Sequence, residues 1–410
     1  MILVLLSLVF SAEPDHDLSY DEVRERVLML GVDLRLAETA RRQAELVHQQ
    51  RRHAWDPDLG YSAELRASGS PDGISTLLGA GLDSTFPIYA GGSSRARLRQ
   101  AAAAQQAADE DLRVERQQLL LSLSDSLLLL WEANAAVEVE RSRVQSEQAS
   151  LEQIQALVRA GARTQADQLQ QEAVVAEAEA GLLAAQRDAR STELLLLTLL
   201  RLDPIQSWEL HPPAESGPLQ GDLAALSDRA LRQRPELRAA QARVEQAVAA
   251  VEEEKAGLRP TLQGSLGVSG SVDPLQPSDV TGVATAALQL SGAILDRGNT
   301  TSGRGQAEQA QRAAELRLEE AQWQVRQDLA DAISRRDAAV AILRASERQN
   351  QASVEALRLV EARYTAGAAL YSELAAARLA RVGAQRAVVG AQSEVYRAEL
   401  RLRWAVGEDL

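Results

Sequence analysis

Adding 206 to a residue number carries much of the first half of this chain onto the second. Ile88-Tyr89 falls on Ile294-Leu295, Gly92 on Gly298, Ala160-Gly161-Ala162 on Ala366-Gly367-Ala368, Asp167 on Glu373 and Asp203 on Asp409. Ahead of the strand segments the offset is 203, so Asp33-Leu34-Arg35 lies on Glu236-Leu237-Arg238 and Pro57 on Pro260. A three-residue change in one loop accounts for the difference. A repeat of this length makes each half an incomplete unit, and the two halves occupy equivalent places in one assembly. The domain reading is a first repeat over 13–203, a connector over 204–221 that is broken by Pro212, Pro213 and Pro218, and a second repeat over 222–410.

Of the 410 residues 45% are hydrophobic, mainly Ala and Leu, and 25% are charged, yet only 3% are aromatic. That balance favours long, closely packed helices over the aromatic-rich core of a globular enzyme. A net charge of -14 excludes a nucleic-acid partner, which requires a basic footprint. With 0 Cys there is no disulfide, thiolate nucleophile, Cys-ligated metal or lipid thioether. His16, His48, His53 and His211 include no pair at the i, i+4 spacing of a helical zinc site. Gly298, Gly303 and Gly305 sit where a strand gives way to a helix, as turn residues rather than a phosphate cradle. No enzyme activity, cofactor or metal is expected.

Residues 1–12 read as a secretory signal, with cleavage after Ser11 or Ala12, although no Lys or Arg precedes the apolar run. The alternative is a buried N-terminal strand. Each half then reads helix, strand, strand, very long helix, tight turn, helix. The helices are expected over 19–54, 93–160, 163–200, 222–256, 300–365 and 369–406, and the strands over 57–67, 78–89, 260–270 and 282–295. A helix over 93–160 would be about 100 Å long. Ala101 to Ala104, with Ala173, Ala176, Ala178 and Ala180, offer small faces for close helix approach.

The strands alternate. Leu59, Tyr61, Ala63 and Leu65 oppose Gly60, Ser62, Glu64 and Arg66, and Leu82, Phe86 and Ile88 oppose Asp83 and Thr85. In the second half Leu262, Leu266 and Val268 oppose Gln263, Ser265 and Ser269, while Ala286, Leu288 and Leu290 oppose Gln289 and Ser291. Such dyads suit a membrane barrel with lipid outside and water inside, and equally a half-buried soluble sheet. Four strands cannot close alone, because about eight make the smallest barrel that side chains fill. The remaining strands must come from further copies of the chain.

With Arg234-Pro235-Glu236-Leu237-Arg238-Ala239-Ala240, the run Leu258-Arg259-Pro260-Thr261-Leu262 and the Gly161 and Gly367 turns, the chain resembles the TolC family of outer-membrane channel proteins from residue 19 onward. The resemblance implies a mainly α fold with a membrane β-barrel. Duplicated helical hairpins form a tapering periplasmic tunnel, and each chain of a homotrimer gives four strands to a 12-stranded barrel. It implies the exit duct of a tripartite efflux pump or type I secretion system in the outer membrane, bounded by lipid and fed by a periplasmic adaptor and an inner-membrane transporter. Asp167 and Glu373 then follow the two tip turns where the tunnel narrows. Tyr364 matches a family tyrosine that reaches toward the Asp167 position when the entrance is closed. The family arginine expected at 369 is Ala369 and a second ring carboxylate expected at 376 is Ala376, whereas Arg163 stands on the opposite hairpin. The competing reading of Asp167 and Glu373 is as acids stabilised by helix N-termini. The competing reading of the whole chain is a soluble periplasmic coiled-coil scaffold or adaptor.

Overall fold

A computed structural model of the chain describes residues 16–70, 73–206, 208–211, 217, 219, 221–273, 276–292 and 296–408. The signal-like segment 1–12, Pro212, Pro213 and Pro218, and the pairings at Ile294, Leu295 and Asp409 lie outside the described residues. In chain order the elements are β1 (His16–Leu18), α1 (Tyr20–Leu30), α2 (Val32–Arg52), β2 (Asp58–Ser70), β3 (Gly73–Ala90), α3 (Ser93–Arg159), α4 (Gln165–Leu199), β4 (Trp208–Leu210), α5 (Leu223–Gln233), α6 (Pro235–Lys255), β5 (Thr261–Asp273), β6 (Gln276–Ser291), α7 (Asn299–Thr365) and α8 (Tyr371–Val406).

The element boundaries obey both sequence offsets. An offset of 203 carries α1, α2 and β2 onto α5, α6 and β5, and an offset of 206 carries the 67-residue α3 onto the 67-residue α7. The three extra residues therefore enter the second repeat between Gln276 and Asn299.

The expected single helices over 19–54 and 222–256 are each broken, at equivalent positions. Gly31 takes ψ 120 and Arg234 takes ψ 123, both outside the helical region. Pro235 explains the second break, since it lacks an N–H and drives the preceding residue to extended backbone. At Gly31 no proline marks the break, and close approach accounts for the residue type only, because a Cβ there would stand 2.7 Å from Leu119 Cδ2 of α3.

The chain forms two compact units, each drawing segments from both repeats: the described residues of 1–35, 114–234 and 324–410, and those of 36–113 and 235–323. In the first unit Val23 and Val27 of α1 pack with Leu123, Leu127 and Leu130 of α3 and with Leu196, Leu197 and Leu200 at the end of α4. Part of α3 is apolar enough to cross a membrane by length and composition alone, and 39% of that stretch is buried in the chain. Beside that core β1 pairs in parallel with β4, a contact between the start of the first repeat and the connector. Of the Ala173, Ala176, Ala178 and Ala180 set only Ala178 is buried, so the small-residue contact is one position wide there.

The second unit holds an antiparallel sheet in the order β2-β3-β5-β6. Its register places the alternating residues on common faces. Tyr61 pairs with Leu82, Leu82 with Val268 and Val268 with Ala284; Leu59 pairs with Ser84, Ser84 with Leu266 and Leu266 with Ala286. Leu65 joins this apolar face opposite Leu78, and Leu288 and Leu290 join it opposite Gly264 and Leu262. Most of these side chains are exposed, while Phe86 and Leu262 are half-buried. The cause at Phe86 is Gly264: its ring lies where a Cβ would stand, at 2.5 Å. A β-bulge between Pro87 and Tyr89 sets Tyr89 opposite Leu262, so Ile88 is the extra residue of the bulge rather than a paired member of the face. Asp83, Thr85, Ser62, Ser265 and Gln289 occupy the other face, with Arg66 paired to Glu64 at 2.6 Å.

Candidate functional site

The two hairpin turns close in the same way. Gly161 at φ +70 and Gly367 at φ +75 take the left-handed conformation that lets a helix end within one residue. Ala162 N–H donates to Leu157 O at 2.9 Å, and Ala368 N–H donates to Arg363 O at 2.8 Å. Neither glycine has an atom within 4 Å of its Cβ position, so backbone angle alone selects glycine there.

Beyond the turns the symmetry ends. Thr164 caps α4, and the Asp167 carboxylate accepts from Thr164 N–H at 3.1 Å and from its hydroxyl at 2.9 Å, a reciprocal capping box. Glu373 accepts from Leu370 N–H at 3.5 Å and pairs with Arg363 at 3.5 Å, but the Leu370 side chain has no oxygen, so Glu373 N–H donates to Leu370 backbone O at 3.1 Å instead. Both acids thus serve helix N-termini, and Asp167 makes its hydrogen bonds inside its own first turn.

Arg163 and Tyr364 do come together. The Arg163 guanidinium lies 4.2 Å from the centre of the Tyr364 ring and donates to Tyr364 O at 2.9 Å, joining the first turn to the second. Among the described residues the buried Tyr364 hydroxyl has no hydrogen-bond partner, so it does not bond Asp167. The hydroxyl that crosses between hairpins belongs to Tyr371, which donates to Gln171 Oε1 at 2.5 Å. Gln171 in turn donates to Glu147 Oε2 at 2.8 Å and to Glu147 O at 3.0 Å, and Arg378 pairs with Glu147 at 3.1 Å. Around this chain Ile154, Leu357, Tyr364, Tyr371 and Leu374 form a small apolar core. Burial, and next the Glu147 charge, push the Tyr371 phenol up to about 12.

Sequence reasoning missed Gln171, Glu147, Arg378 and Arg363, because each reads in isolation as a residue on a solvated helix face. Among the described residues no group of three or more His, Asp or Glu is placed to hold a metal ion.

An amphipathic four-stranded sheet whose two edges are open among the described residues, in a chain of duplicated helical hairpins whose ends are laced by polar side chains, is the architecture of an outer-membrane channel protein. The sequence profile named Outer membrane efflux protein matches residues 25–200 and 226–408. The chain belongs to that family. Its fold is similar to that of the outer-membrane channel OprN, at 24% identity and a TM-score of 0.81, over 94% of this chain and 89% of that one. It is also similar to VceC of Vibrio cholerae, at 22% identity and 0.81, over 95% and 96%. A third likeness is to the MtrE channel of Neisseria gonorrhoeae in its open state, at 22% identity and 0.80, over 95% and 88%. No curated relative matches the sequence. The protein is an outer-membrane efflux duct that reaches into the periplasm, of a family of channels rather than enzymes, and the soluble scaffold or adaptor reading is not favoured.

Proposed function

We propose that three copies of the chain complete one 12-stranded barrel, that the laced helical tip is the periplasmic entrance, and that an inner-membrane transporter feeds it through a periplasmic adaptor. The observation that carries this reading is the sheet. Its apolar face, with Leu59, Tyr61, Leu65, Leu266, Val268, Leu288 and Leu290 exposed, suits outer-membrane lipid, and its edges β2 and β6 have no partner in the chain among the described residues. Unpaired backbone groups in hydrocarbon cost several kcal/mol each, so further copies must supply the neighbours. Mass measurement in detergent is expected to give a trimer; a monomer stable without detergent would sink the reading.

At the entrance, three copies of Asp167 and Glu373 give a ring of carboxylates that attracts cations. Replacing both by amides, Asp167→Asn with Glu373→Gln, is expected to lower cation selectivity in planar bilayers. Unchanged selectivity with slightly lower stability would leave the two acids as helix caps only.

A further inference from the structure

Asp125, Glu132, Glu140 and Glu147 recur along α3 at intervals of seven or eight residues, about two helical turns, and so share one face. Each meets an arginine of α8, in antiparallel order. Asp125 lies 3.3 Å from Arg401 and 3.7 Å from Arg397, Glu132 3.5 Å from Arg397, Glu140 2.6 Å from Arg386 and Glu147 3.1 Å from Arg378. The acids come from the first repeat and the bases from the second.

Glu140 is the most enclosed rung. Its side chain is fully buried, Arg143 of its own helix lies 3.5 Å away, and α4 presents Gly181, where a Cβ would stand 2.7 Å from Glu140 Oε2. Three helices thus close on one carboxylate whose oxygens accept no well-aligned hydrogen bond among the described residues, so the charges of Arg386 at 2.6 Å and Arg143 at 3.5 Å are what offset its burial. Sliding α8 along α3 by one turn, about 5.4 Å, would bring Val382 or Gly390 to the place of Arg386. Such a slip would leave Glu140 without its interhelical partner, and buried polar pairs of this kind fix helix register.

We propose that this acid–base ladder is a register lock. It holds α3 and α8, and with them the two hairpins of one chain, as a single body from Asp125 to Glu147, so that rearrangement of the tip is confined to the residues beyond Glu147. The lock rests on the reading of that tip as a moving entrance.

Hydrogen exchange on the assembled full chain in detergent tests it. Residues 125–147 and 378–401 are expected to exchange as one slow block, more slowly than 148–159 and 371–377. Glu140→Gln, which keeps the shape and removes the charge, is expected to speed exchange at least tenfold through the whole block in both helices. Arg386→Gln should do the same alone and add little to Glu140→Gln. Glu132→Gln, at a rung nearer solvent, should give the same pattern at smaller amplitude, and it decides the matter if Glu140→Gln fails to assemble. Acceleration limited to the turn around residue 140, or none, overturns the lock. Exchange is read without conduction, so an entrance reading that fails in bilayers would leave this block pattern standing or falling by itself.

Discussion

The hydroxyl of Tyr371 donates to Gln171 Oε1 across the two hairpins, while the hydroxyl of Tyr364, on the other side of the Gly367 turn, is buried without a partner among the described residues. The two tyrosines, edge to face with ring centres 6.3 Å apart, therefore respond differently to the same substitution. Tyr371→Phe is expected to destabilise the tip by about 1 kcal/mol per chain and to raise open probability in bilayer recordings. Tyr364→Phe removes an unpaired hydroxyl and is expected to be neutral in both measurements. Equal effects at the two positions would contradict the assignment of the interhairpin bond.

The Tyr371 phenol also sets an alkaline limit. Its folded value of about 12 stands above the ordinary 10.0, so the protonated form is favoured by folding. Stability from this group is complete below pH 10.0 and is lost as pH rises from there through about 12. Unfolding followed against pH should show this segment of the decline in the wild type and lack it in Tyr371→Phe.

Across β5, neighbouring residues should tolerate charge unequally. Leu266 pairs with Ser84 and Ala286 on the apolar face, and Ser265 with Thr85 and Ala287 on the polar face. Leu266→Arg is expected to cost about 2–4 kcal/mol at the depth of a membrane midplane, and Ser265→Arg much less. Refolding into detergent or lipid vesicles measures both, and equal tolerance would contradict a lipid-facing register.

Left-handed positions recur across the repeats with different residues. Gly91 and Arg297 form one equivalent pair, at φ +62 and +56, and Arg201 and Gly407 another, at φ +50 and +87. Glycine is kept where the backbone is crowded: a Cβ at Gly91 would meet Ala256 O at 3.1 Å, and one at Gly407 would meet Arg234 N at 3.1 Å. Relief of left-handed strain is worth about 1–2 kcal/mol, and the freedom glycine regains in the unfolded chain takes back about 0.5–1 kcal/mol. Arg201→Gly is accordingly expected to raise the unfolding midpoint slightly, and Gly407→Ala to lower it clearly.

Most of the fold was legible because it is written twice. Strand alternation and the Gly161 and Gly367 turns are local signals, and they place the hairpin turns and the starts of β2 and β5 well, whereas β3 and β6 begin at Gly73 and Gln276, ahead of the 78 and 282 where alternation becomes visible. The break at Arg234 was also written, in Pro235, but a periodic apolar pattern on both sides masked it. The break at Gly31 has no proline to mark it, and the approach of Leu119 that leaves no room for a Cβ there is a contact that no local pattern encodes. The tip was half legible. Arg163–Tyr364 and Tyr371–Gln171 join residues almost equally far apart in the chain, but neither Tyr371 nor Gln171 is of a type that announces a site. The ladder was hidden for a similar reason: its acids and arginines lie on separate helices that each look like ordinary solvated surface.

β2 and β6, whose outer edges have no partner among the described residues, bear on how the protein reaches its final state. If copies of the chain complete one barrel, as proposed, the free energy of the sheet depends on how many other chains are present. Dilution alone should then unfold the membrane part, and the rate of forming it should rise faster than in proportion to protein concentration. Insertion into lipid and association become one event for such a chain, because either alone would strand open strand edges in hydrocarbon.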